Sequence, residues 1–266
     1  MPGIDIRNLS FSYATNNICI LKDIDLHVEA GEFVCILGQS GCGKSTLLRL
    51  LAGLEKCSTG EINVDGHKIE GASLSRGVVF QDYGLFPWMT AGANVTLALK
   101  KKFPDLGKIE LKNRAVELLK AVGLSESVYK KYPRELSGGM KQRCAIAIAF
   151  GIDPPILLMD EPFGALDAVT RSMLQDMVLE LWSKQEQRKT IFFVTHDVDE
   201  ALLLANRIIV LGQSPSNIIY DMKIPEENRV SRDKQFEDPA VLQLRNELIR
   251  YIHADIRKHI KEDKIS

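Results

Sequence analysis

The stretch GQSGCGKST, residues 38–46, combines glycines, a lysine and hydroxyl side chains at a spacing that suits phosphate binding. Its register matches a nucleotide phosphate loop at Gly38, Gly43, Lys44 and Ser45. In such a loop backbone N–H groups close around phosphate oxygens, the lysine reaches the β- and γ-phosphates, and the serine hydroxyl ligates Mg²⁺. The apolar run FVCIL precedes it and the helical run LLRLLAGL follows it, as such a loop requires.

Two adjacent carboxylates follow another apolar run in the segment ILLMDEP. Asp160 ends that run, where a carboxylate suits the magnesium shell beside a phosphate loop. Glu161 stands where the chain leaves the strand, and it could act as the general base that polarises an attacking water. The alternative is that Glu161 caps the next turn. The neighbouring metal-type acid favours the catalytic interpretation.

Gln81 and His196 also follow apolar runs, VVF and FFVT. Taken singly, each is more often a satisfied structural group than a ligand. Open α/β sheets, however, bind ligands at the carboxyl ends of their strands, where Lys44 and Asp160 are also predicted to lie. The sequence therefore predicts that these four polar groups converge at one place.

The segment RELSGGMKQR, residues 134–143, has half the features of a second anion site. Ser137 can cap a helix, and Gly138 and Gly139 leave backbone N–H groups bare at its N-terminus. The segment has no lysine in loop register and no magnesium hydroxyl. A plain capped helix is an equal interpretation of these residues. Anion binding makes sense if the phosphate is already held by another copy of residues 38–46.

Composition sets broader limits. The 266 residues are 45% hydrophobic and 26% charged, which is ordinary for a globular chain. A net charge of −1 gives no sign of nucleic-acid binding, and five cysteines without paired spacing indicate reduced thiols. No apolar run approaches the roughly 18 residues of a membrane helix, and no signal peptide is visible. We therefore expect a cytoplasmic protein that reaches a membrane only through partners.

Hydrophobic patterns predict an α/β organisation in which regions with strand patterns alternate with regions with helical patterns. Residues 3–37 contain short apolar runs typical of strands, and EINVDGHKI predicts a hairpin around Asp65-Gly66. Helical patterns dominate from about 90 to 150, which we interpret as an inserted helical subdomain. A long amphipathic helix is predicted near 167–187, between buried strands ILLMD and TIFFV.

The last segment is predicted to be one amphipathic helix. Asp238-Pro239 supplies a cap and a first turn. Apolar residues then recur at every fourth position: Leu244, Leu248, Ile252, Ile256 and Ile260. Packing of this face on the chain's own core is favoured over a partner surface. We expect a nucleotide-binding main domain over 1–237 and a helical tail over 238–266.

Several of these segments, taken together, resemble the motifs of a known family. The set GQSGCGKST, Gln81, LSGGMKQR, ILLMDEP, ALD and THD occurs in the order of the ATP-binding subunits of ABC transporters, which this chain resembles from Tyr13 to at least Leu211. LSGGMKQR is highly specific and separates this family from other phosphate-loop enzymes. The resemblance implies a phosphate-loop NTPase core with a mostly parallel sheet, an N-terminal antiparallel β subdomain and an inserted α-helical subdomain.

The resemblance also implies an ATPase that uses Mg²⁺, with Glu161 as the base for water and His196 in contact with the γ-phosphate. Tyr13 would stack on adenine, although a half-buried strand tyrosine is the even alternative. Cys42 stands at a helix N-terminus beside Lys44, so we expect a lowered thiol pKa. ATP is implied to contact Tyr13, Gly38, Gln39, Ser40, Gly41, Cys42, Gly43, Lys44, Ser45, Thr46 and Gln81, and Mg²⁺ to contact Ser45, Gln81 and Asp160.

The same resemblance implies that each chain completes its neighbour's site. The ATP held by the opposite subunit would contact Ser137, Gly138, Gly139 and Gln142, with Asp167 at the dimer seam. Such a chain forms a homodimer with ATP and works with membrane permease subunits, and indirectly with an extracytoplasmic substrate-binding protein. It would lie on the cytoplasmic face of the cell membrane.

Two further segments indicate which group of ABC transporters the chain resembles. DYGLFPWMTAGANV, with Pro87-Trp88, and EPFGALDAVTR look like the nitrate, sulfonate and taurine importers. A soluble ABC ATPase of translation or DNA repair and an exporter ATPase remain alternatives. A small-molecule kinase or GTPase on the same fold would leave LSGG unexplained.

Overall fold

The structure, a computed structural model, describes residues 2–13, 18–164, 166–183, 188–225 and 229–262, with side chains in the last helix described as far as Asp255. Within these ranges the strands are β1 (Ile4–Ser12), β2 (Cys19–Val28), β3 (Phe33–Leu37), β4 (Thr59–Val64), β5 (His67–Lys68), β6 (Arg76–Val79), β7 (Ile156–Asp160), β8 (Thr190–Val194), β9 (Arg207–Leu211) and β10 (Ile218–Lys223). The α-helices are α1 (Lys44–Ala52), α2 (Ala91–Lys102), α3 (Lys108–Ala121), α4 (Gly138–Gly151), α5 (Ala168–Ser183), α6 (Val198–Leu204) and α7 (Pro239–Glu262).

The chain divides into two compact units. The first contains residues 1–72 and 187–266, and the second contains residues 73–186. The first unit therefore holds the phosphate-loop segment, and the second holds Gln81, Asp160 and the LSGG segment.

An antiparallel sheet with strand order β2-β1-β4-β5 forms one part of the first unit. The hairpin between β4 and β5 turns at Asp65 and Gly66, whose φ angles are 48° and 75°. A two-residue turn with both φ angles positive matches the twist of the strands it joins. The hairpin and the N-terminal antiparallel sheet predicted from the sequence are thus confirmed.

The other strands of the first unit lie side by side in the order β10-β9-β3-β8. Strand β3 pairs in parallel with both β8 and β9, and all five residues of each of these three strands are buried. Continuous apolar strands are expected where both faces of a parallel sheet are covered. The carboxyl ends of β3 and β8 therefore meet at one edge, from which α1 and α6 begin shortly afterwards.

The second unit pairs β6 with β7 in parallel and adds the helices α2, α3, α4 and α5. Helix α2 begins at a Thr90 cap, whose side chain accepts a hydrogen bond of 3.1 Å from Ala93 N. Helix α3 buries Leu111, Ala115 and Leu119 along one face, at the spacing of an amphipathic helix. Helices α2, α3 and α4 therefore occupy the region from about 90 to 150, where the sequence predicted helices and no strands. The predicted helix near 167–187 is α5, and residues 184–187 lie outside the described residues.

Helix α7 packs on the first unit. The Asp238 side chain accepts a 2.8 Å hydrogen bond from Ala240 N and caps the helix, as its sequence predicted. Leu248 is fully buried and Val241 is nearly so. The predicted packing of this helix on the chain's own core is thus confirmed as far as Asp255, whereas the side chains of Ile256 and Ile260 lie outside the described residues.

The helices in the described ranges do not include one with the length and hydrophobicity needed to cross a membrane.

We expect Leu248→Ala to lower the free energy of unfolding by about 2–5 kcal/mol, because a leucine with 0% exposure leaves a cavity when truncated. Leu242→Ala on the same helix is the matched control, since Leu242 is 37% exposed and should change stability by less than about 0.5 kcal/mol. Urea unfolding followed by circular dichroism checks both. Equal losses in the two variants would mean that α7 does not pack as described.

Candidate functional site

The phosphate loop follows the buried strand β3 and leads directly into α1. Gly41 and Gly43 have φ angles of 83° and 99°, in the left-handed region that favours glycine. A Cβ on Gly43 would lie 2.9 Å from side-chain carbons of both Ile20 and Leu21. The loop therefore needs glycine at Gly43 for both conformation and space, which is what allows the backbone to curve tightly before α1.

Lys44 lies along this loop and is only 5% exposed. Its Nζ donates hydrogen bonds to the carbonyl oxygens of Gly38 at 2.9 Å and Gln39 at 2.8 Å. A buried ammonium group requires such partners. The two bonds keep the positive charge at the loop, where a bound phosphate would meet it.

Tyr13 lies next to the helix that follows the loop. Its hydroxyl oxygen is 3.2 Å from the Thr46 Oγ1, and its ring makes an edge contact with Phe11 at a centroid distance of 4.8 Å. The ring is half-buried. The structure thus places Tyr13 beside the phosphate loop, a position compatible with either interpretation of this tyrosine.

His196 is exposed and follows β8, the strand paired with β3. The turn that carries it is closed by its neighbours. The Thr195 hydroxyl donates to the Glu200 Oε2 at 2.6 Å and accepts from Asp197 N at 3.1 Å. The Asp197 carboxylate caps α6 by accepting from Asp199 N at 2.9 Å and Glu200 N at 3.2 Å. This network fixes the backbone on both sides of His196.

In the second unit Gln81 and Asp160 leave neighbouring parallel strands at the same edge, because Val79 is paired with Met159. Gln81 is exposed, whereas Asp160 and Glu161 are half-buried. The φ angle of Glu161 is 45°, an uncommon value for a residue with a side chain. Such local strain is concentrated at functional sites, where it fixes the direction of a side chain.

The LSGG segment forms the start of α4 in the second unit. Ser137 caps the helix by accepting a 3.3 Å hydrogen bond from Met140 N, and it is exposed. The first turn of α4 contains no acidic residue. A Cβ on Gly139 would lie 3.0 Å from the Leu166 Cδ2. The helix therefore presents a positive dipole end without a nearby carboxylate on its own first turn, which suits an anion.

Gln142 differs from the other predicted contacts in this segment. It is 2% exposed, and among the described residues its Nε2 has no hydrogen-bond partner. The side chain lies within the second unit and away from solvent. Sequence spacing did not indicate this burial.

Asp167 is exposed and directly precedes α5. Its Oδ1 accepts a hydrogen bond of 3.0 Å from Thr170 N, and the hydrogen bonds from Thr170 lower the pKa of the Asp167 carboxyl group. Ala165, the first residue of the ALD segment, lies outside the described residues. Asp167 is therefore an ionised helix cap at the protein surface.

The expectation of a lowered pKa at Cys42 is wrong. Burial raises the pKa of this thiol, and the charge of Lys44 offsets only part of the effect. Cys42 is 2% exposed. Desolvation of the thiolate therefore outweighs the helix N-terminus and the lysine.

The sequence interpretation also missed two contacts on the phosphate loop. Ser216 is fully buried, and its hydroxyl donates to the carbonyl oxygen of Cys42. The Gln213 Nε2 donates to the Gln39 Oε1 at 3.1 Å. Both partners are about 170 positions away along the chain, so no local pattern could reveal them. The cap formed by Asp197, in contrast, is visible in the sequence THDVDE.

Comparisons with known proteins agree with this arrangement. Residues 21–164 match the family described as ABC transporter. The chain is 43% identical over 234 residues to the nitrate import ATP-binding protein NrtD of Synechococcus elongatus, with 88% of this chain and 84% of the relative covered. It is 42% identical over 255 residues to the bicarbonate transport ATP-binding protein CmpD of the same organism, covering 95% and 91%. It is 44% identical over 219 residues to the aliphatic sulfonates import ATP-binding protein SsuB of Bacillus cereus, covering 81% and 83%.

A solved structure shares the fold. The ATP-binding cassette MJ0796, in a dimeric post-hydrolysis state bound to ADP and Pi, aligns with a TM-score of 0.76 at 34% identity, covering 84% of this chain and 99% of that one. The buried parallel strands and the loop with lysine and glycine define a phosphate-loop ATPase. The chain belongs to the ABC transporter family of ATP-binding subunits, which confirms the family, the α/β fold class and the ATPase activity predicted from the sequence.

We expect Cys42 to react with maleimide more slowly than Cys57 at pH 8, because Cys42 is buried with a raised pKa whereas Cys57 is half-buried. A higher thiol pKa leaves less reactive thiolate at a given pH, and burial also blocks the reagent. Peptide mass spectrometry of the native protein after short labelling times measures both sites in one sample. Labelling of Cys42 at the rate of Cys57 would contradict the described burial.

Proposed function

We propose that this chain is the ATPase of an ABC importer for a small anion. Two copies would bind two ATP molecules between the phosphate loop of one subunit and the LSGG segment of the other. The single observation that carries the proposal is the pairing, in one chain, of a glycine-dependent phosphate loop with an exposed, acid-free helix N-terminus at Ser137.

The proposed ATP contacts in the first unit are Tyr13 and residues 38–46. Lys44 supports the triphosphate, because a charge-assisted bond to phosphate is stronger than the bonds it makes to two neutral carbonyl oxygens. His196 would contact the γ-phosphate from a turn whose backbone is held on both sides. Tyr13 would stack on adenine beside Thr46.

Mg²⁺ is the proposed cofactor, held by Ser45, Gln81 and Asp160. These residues offer a hydroxyl, an amide oxygen and a carboxylate, which are the hard oxygen ligands that Mg²⁺ prefers. The ion would stabilise charge on the β- and γ-phosphates. Glu161 would accept a proton from the attacking water, and its left-handed backbone would fix where the carboxylate points.

The proposed dimer places Ser137, Gly138 and Gly139 against the γ-phosphate of the opposite subunit. Exposure of Ser137 and the uncompensated helix N-terminus support this role. Gln142 would support the start of α4 from inside its own subunit, because its side chain is buried. Asp167 would lie at the seam, and the dimeric state of the related cassette MJ0796 supports such an assembly.

The proposed partners are permease subunits in the membrane, with the chain on the cytoplasmic face. In the second unit Phe86 and Trp88 are 43% and 72% exposed, and their rings lie 5.3 Å apart. An exposed aromatic pair is typical of a protein interface. It belongs to the segment after Gln81, which would pass motion from the nucleotide to the permease. A separate extracytoplasmic substrate-binding protein would deliver the solute.

The proposed solute is an anion such as nitrate, a sulfonate or taurine, or a related metabolite. Relatives named for nitrate, bicarbonate and sulfonates, each at 42–44% identity, support this class. Their names also support import over export, and transport over a soluble role in translation or repair.

We expect Glu161→Gln to lower kcat for ATP hydrolysis by at least about 100-fold, since the amide cannot accept the proton of water. ATP binding should persist, and the variant should elute as a dimer with ATP. Phosphate release and size-exclusion chromatography measure these results. Glu110→Gln, which removes an exposed carboxylate of α3 paired with Arg114, is the control and should hydrolyse ATP normally. Near-normal turnover by Glu161→Gln would rule out Glu161 as the base.

We expect Ser137→Arg to abolish hydrolysis while leaving ATP binding by the isolated subunit intact, because Ser137 would contact only the opposite subunit's ATP. Ser125→Arg, at another exposed serine of the second unit, is the control and should stay active. Binding of a fluorescent ATP analogue and phosphate release separate the two steps. Loss of binding by the Ser137→Arg monomer would contradict the cross-subunit assignment.

A further inference from the structure

Helix α7 makes polar contacts with α6, which follows His196, and with the segment at Gln213, which contacts the phosphate loop. One contact is made by Arg245 in the second turn of the helix, and the other by Asp255 about three turns later. These polar contacts are additional to the packing of Leu248. The proposed function assigns no role to them.

Arg245 binds the helix that follows His196. Its Nε donates to the Asp199 Oδ1 at 2.6 Å and its Nη2 donates to the Asp199 Oδ2 at 3.3 Å. This forked pairing raises the pKa of Arg245, and the charge of Asp197 adds to the effect. Gln235, ahead of α7, also donates to the carbonyl oxygen of Asp199. The position of α6 is therefore held from the C-terminal side.

Two hydrogen bonds connect Asp199 with the residues on either side of His196. Asp199 N is one of the two groups that Asp197 caps, and Asp197 N in turn donates to the Thr195 hydroxyl. His196 lies between Thr195 and Asp197. A shift of α6 would therefore move the backbone that carries His196.

Asp255 acts on the phosphate loop in a similar way. Its Oδ2 accepts a 2.8 Å hydrogen bond from Gln213 N, and the Gln213 side chain donates to Gln39 at 3.1 Å. The Asp255 charge also contributes to the raised pKa of Cys42, although burial is the main cause. One intermediate residue thus separates α7 from the phosphate loop.

We propose that Arg245 and Asp255 are positioning residues of the ATP site, Arg245 acting through Asp199 on His196 and Asp255 acting through Gln213 on Gln39. The inference rests on the proposed roles of His196 and of the phosphate loop. It gives the C-terminal helix a function in ATP hydrolysis within its own subunit.

The two contacts have different kinetic consequences. His196 acts on the γ-phosphate, where small displacements weaken transition-state stabilisation and lower kcat. The phosphate loop holds the whole triphosphate, so loosening Gln39 weakens ATP in the ground state and the transition state alike, which raises KM. Loss of folded protein would lower the apparent kcat without changing KM, so kcat must be expressed per mole of folded protein.

The test measures kcat and KM for ATP in the full-length chain. We expect Arg245→Ala to lower kcat roughly tenfold with KM changed less than about twofold, and Arg245→Lys, which keeps the charge but not the fork, to fall in between. Asp199→Asn should reproduce the loss of Arg245→Ala, and the double variant should add little, because one interaction is removed in each case. Asp255→Ala and Gln213→Ala should each raise KM roughly fivefold at unchanged kcat.

Glu247→Gln is the matched control. Glu247 lies on the same helix and accepts a 3.2 Å hydrogen bond from the Tyr220 hydroxyl in β10. Among the described residues, its side chain forms no hydrogen bond with Asp199 or Gln213. It should leave kcat and KM unchanged. Thermal unfolding of every variant checks that folded protein is compared, and Arg245→Lys and Gln213→Ala remain informative if an alanine variant at Arg245 or Asp255 does not fold.

Wild-type kcat in Arg245→Ala, or an equal loss of kcat in Glu247→Gln, would overturn the role of Arg245. An unchanged KM in both Asp255→Ala and Gln213→Ala would overturn that of Asp255. His196→Ala, measured in parallel, separates this inference from the proposed function. If His196→Ala loses turnover but Arg245→Ala does not, the positioning role alone fails. If His196→Ala keeps full turnover, the proposed role of His196 fails as well.

Discussion

The proposed binding of ATP depends on one electrostatic arrangement. In it, the short loop of residues 38–46 presents backbone N–H groups and the Lys44 ammonium group to the phosphates. The loop can do so because it leaves a fully buried strand at a fixed point and turns through glycines with positive φ. Lys44 is buried in the same loop and is held by two carbonyl oxygens. Burial strengthens the attraction between this charge and a phosphate, because less water screens it.

Parallel strand pairing extends this arrangement to the other polar groups. Strand β8 ends beside β3 in the first unit, which brings His196 close to the start of the loop. Strand β7 ends beside β6 in the second unit, which brings Asp160 and Glu161 close to Gln81. In each unit the residues come from positions far apart in sequence. Parallel pairing, with hydrophobic strands as the only sequence requirement, accounts for their proximity.

The sequence predicted these features where the signal was local. The phosphate loop, the Ser137 cap, the hairpin at Asp65-Gly66 and the start of α7 all follow from short patterns with a known geometry. The prediction for Cys42 was wrong because it considered only near neighbours in sequence. Burial raises the pKa of the thiol, and Ser216, from a distant segment, donates a hydrogen bond to the carbonyl oxygen of the same residue.

Other features were beyond prediction for the same reason. Burial of Gln142 depends on how α4 packs within the second unit, and helical spacing alone gave no sign of it. The contacts of Arg245 and Asp255 join positions 46 and 42 residues apart. Their amphipathic helix was predictable from its apolar face, whereas the polar partners of its other face were not.

The proposed dimer has a thermodynamic consequence that links these elements. If the γ-phosphate bridges the loop of one subunit and the Ser137 helix of the other, ATP binding and dimerisation must strengthen each other by the same factor. Loss of the γ-phosphate then weakens the dimer by removing contacts on both sides. The absence of an acidic residue from the first turn of α4 matters here, since a carboxylate there would oppose the bridging charge. A half-site on each chain can therefore convert hydrolysis into separation of the subunits, which a complete site within one chain could not do.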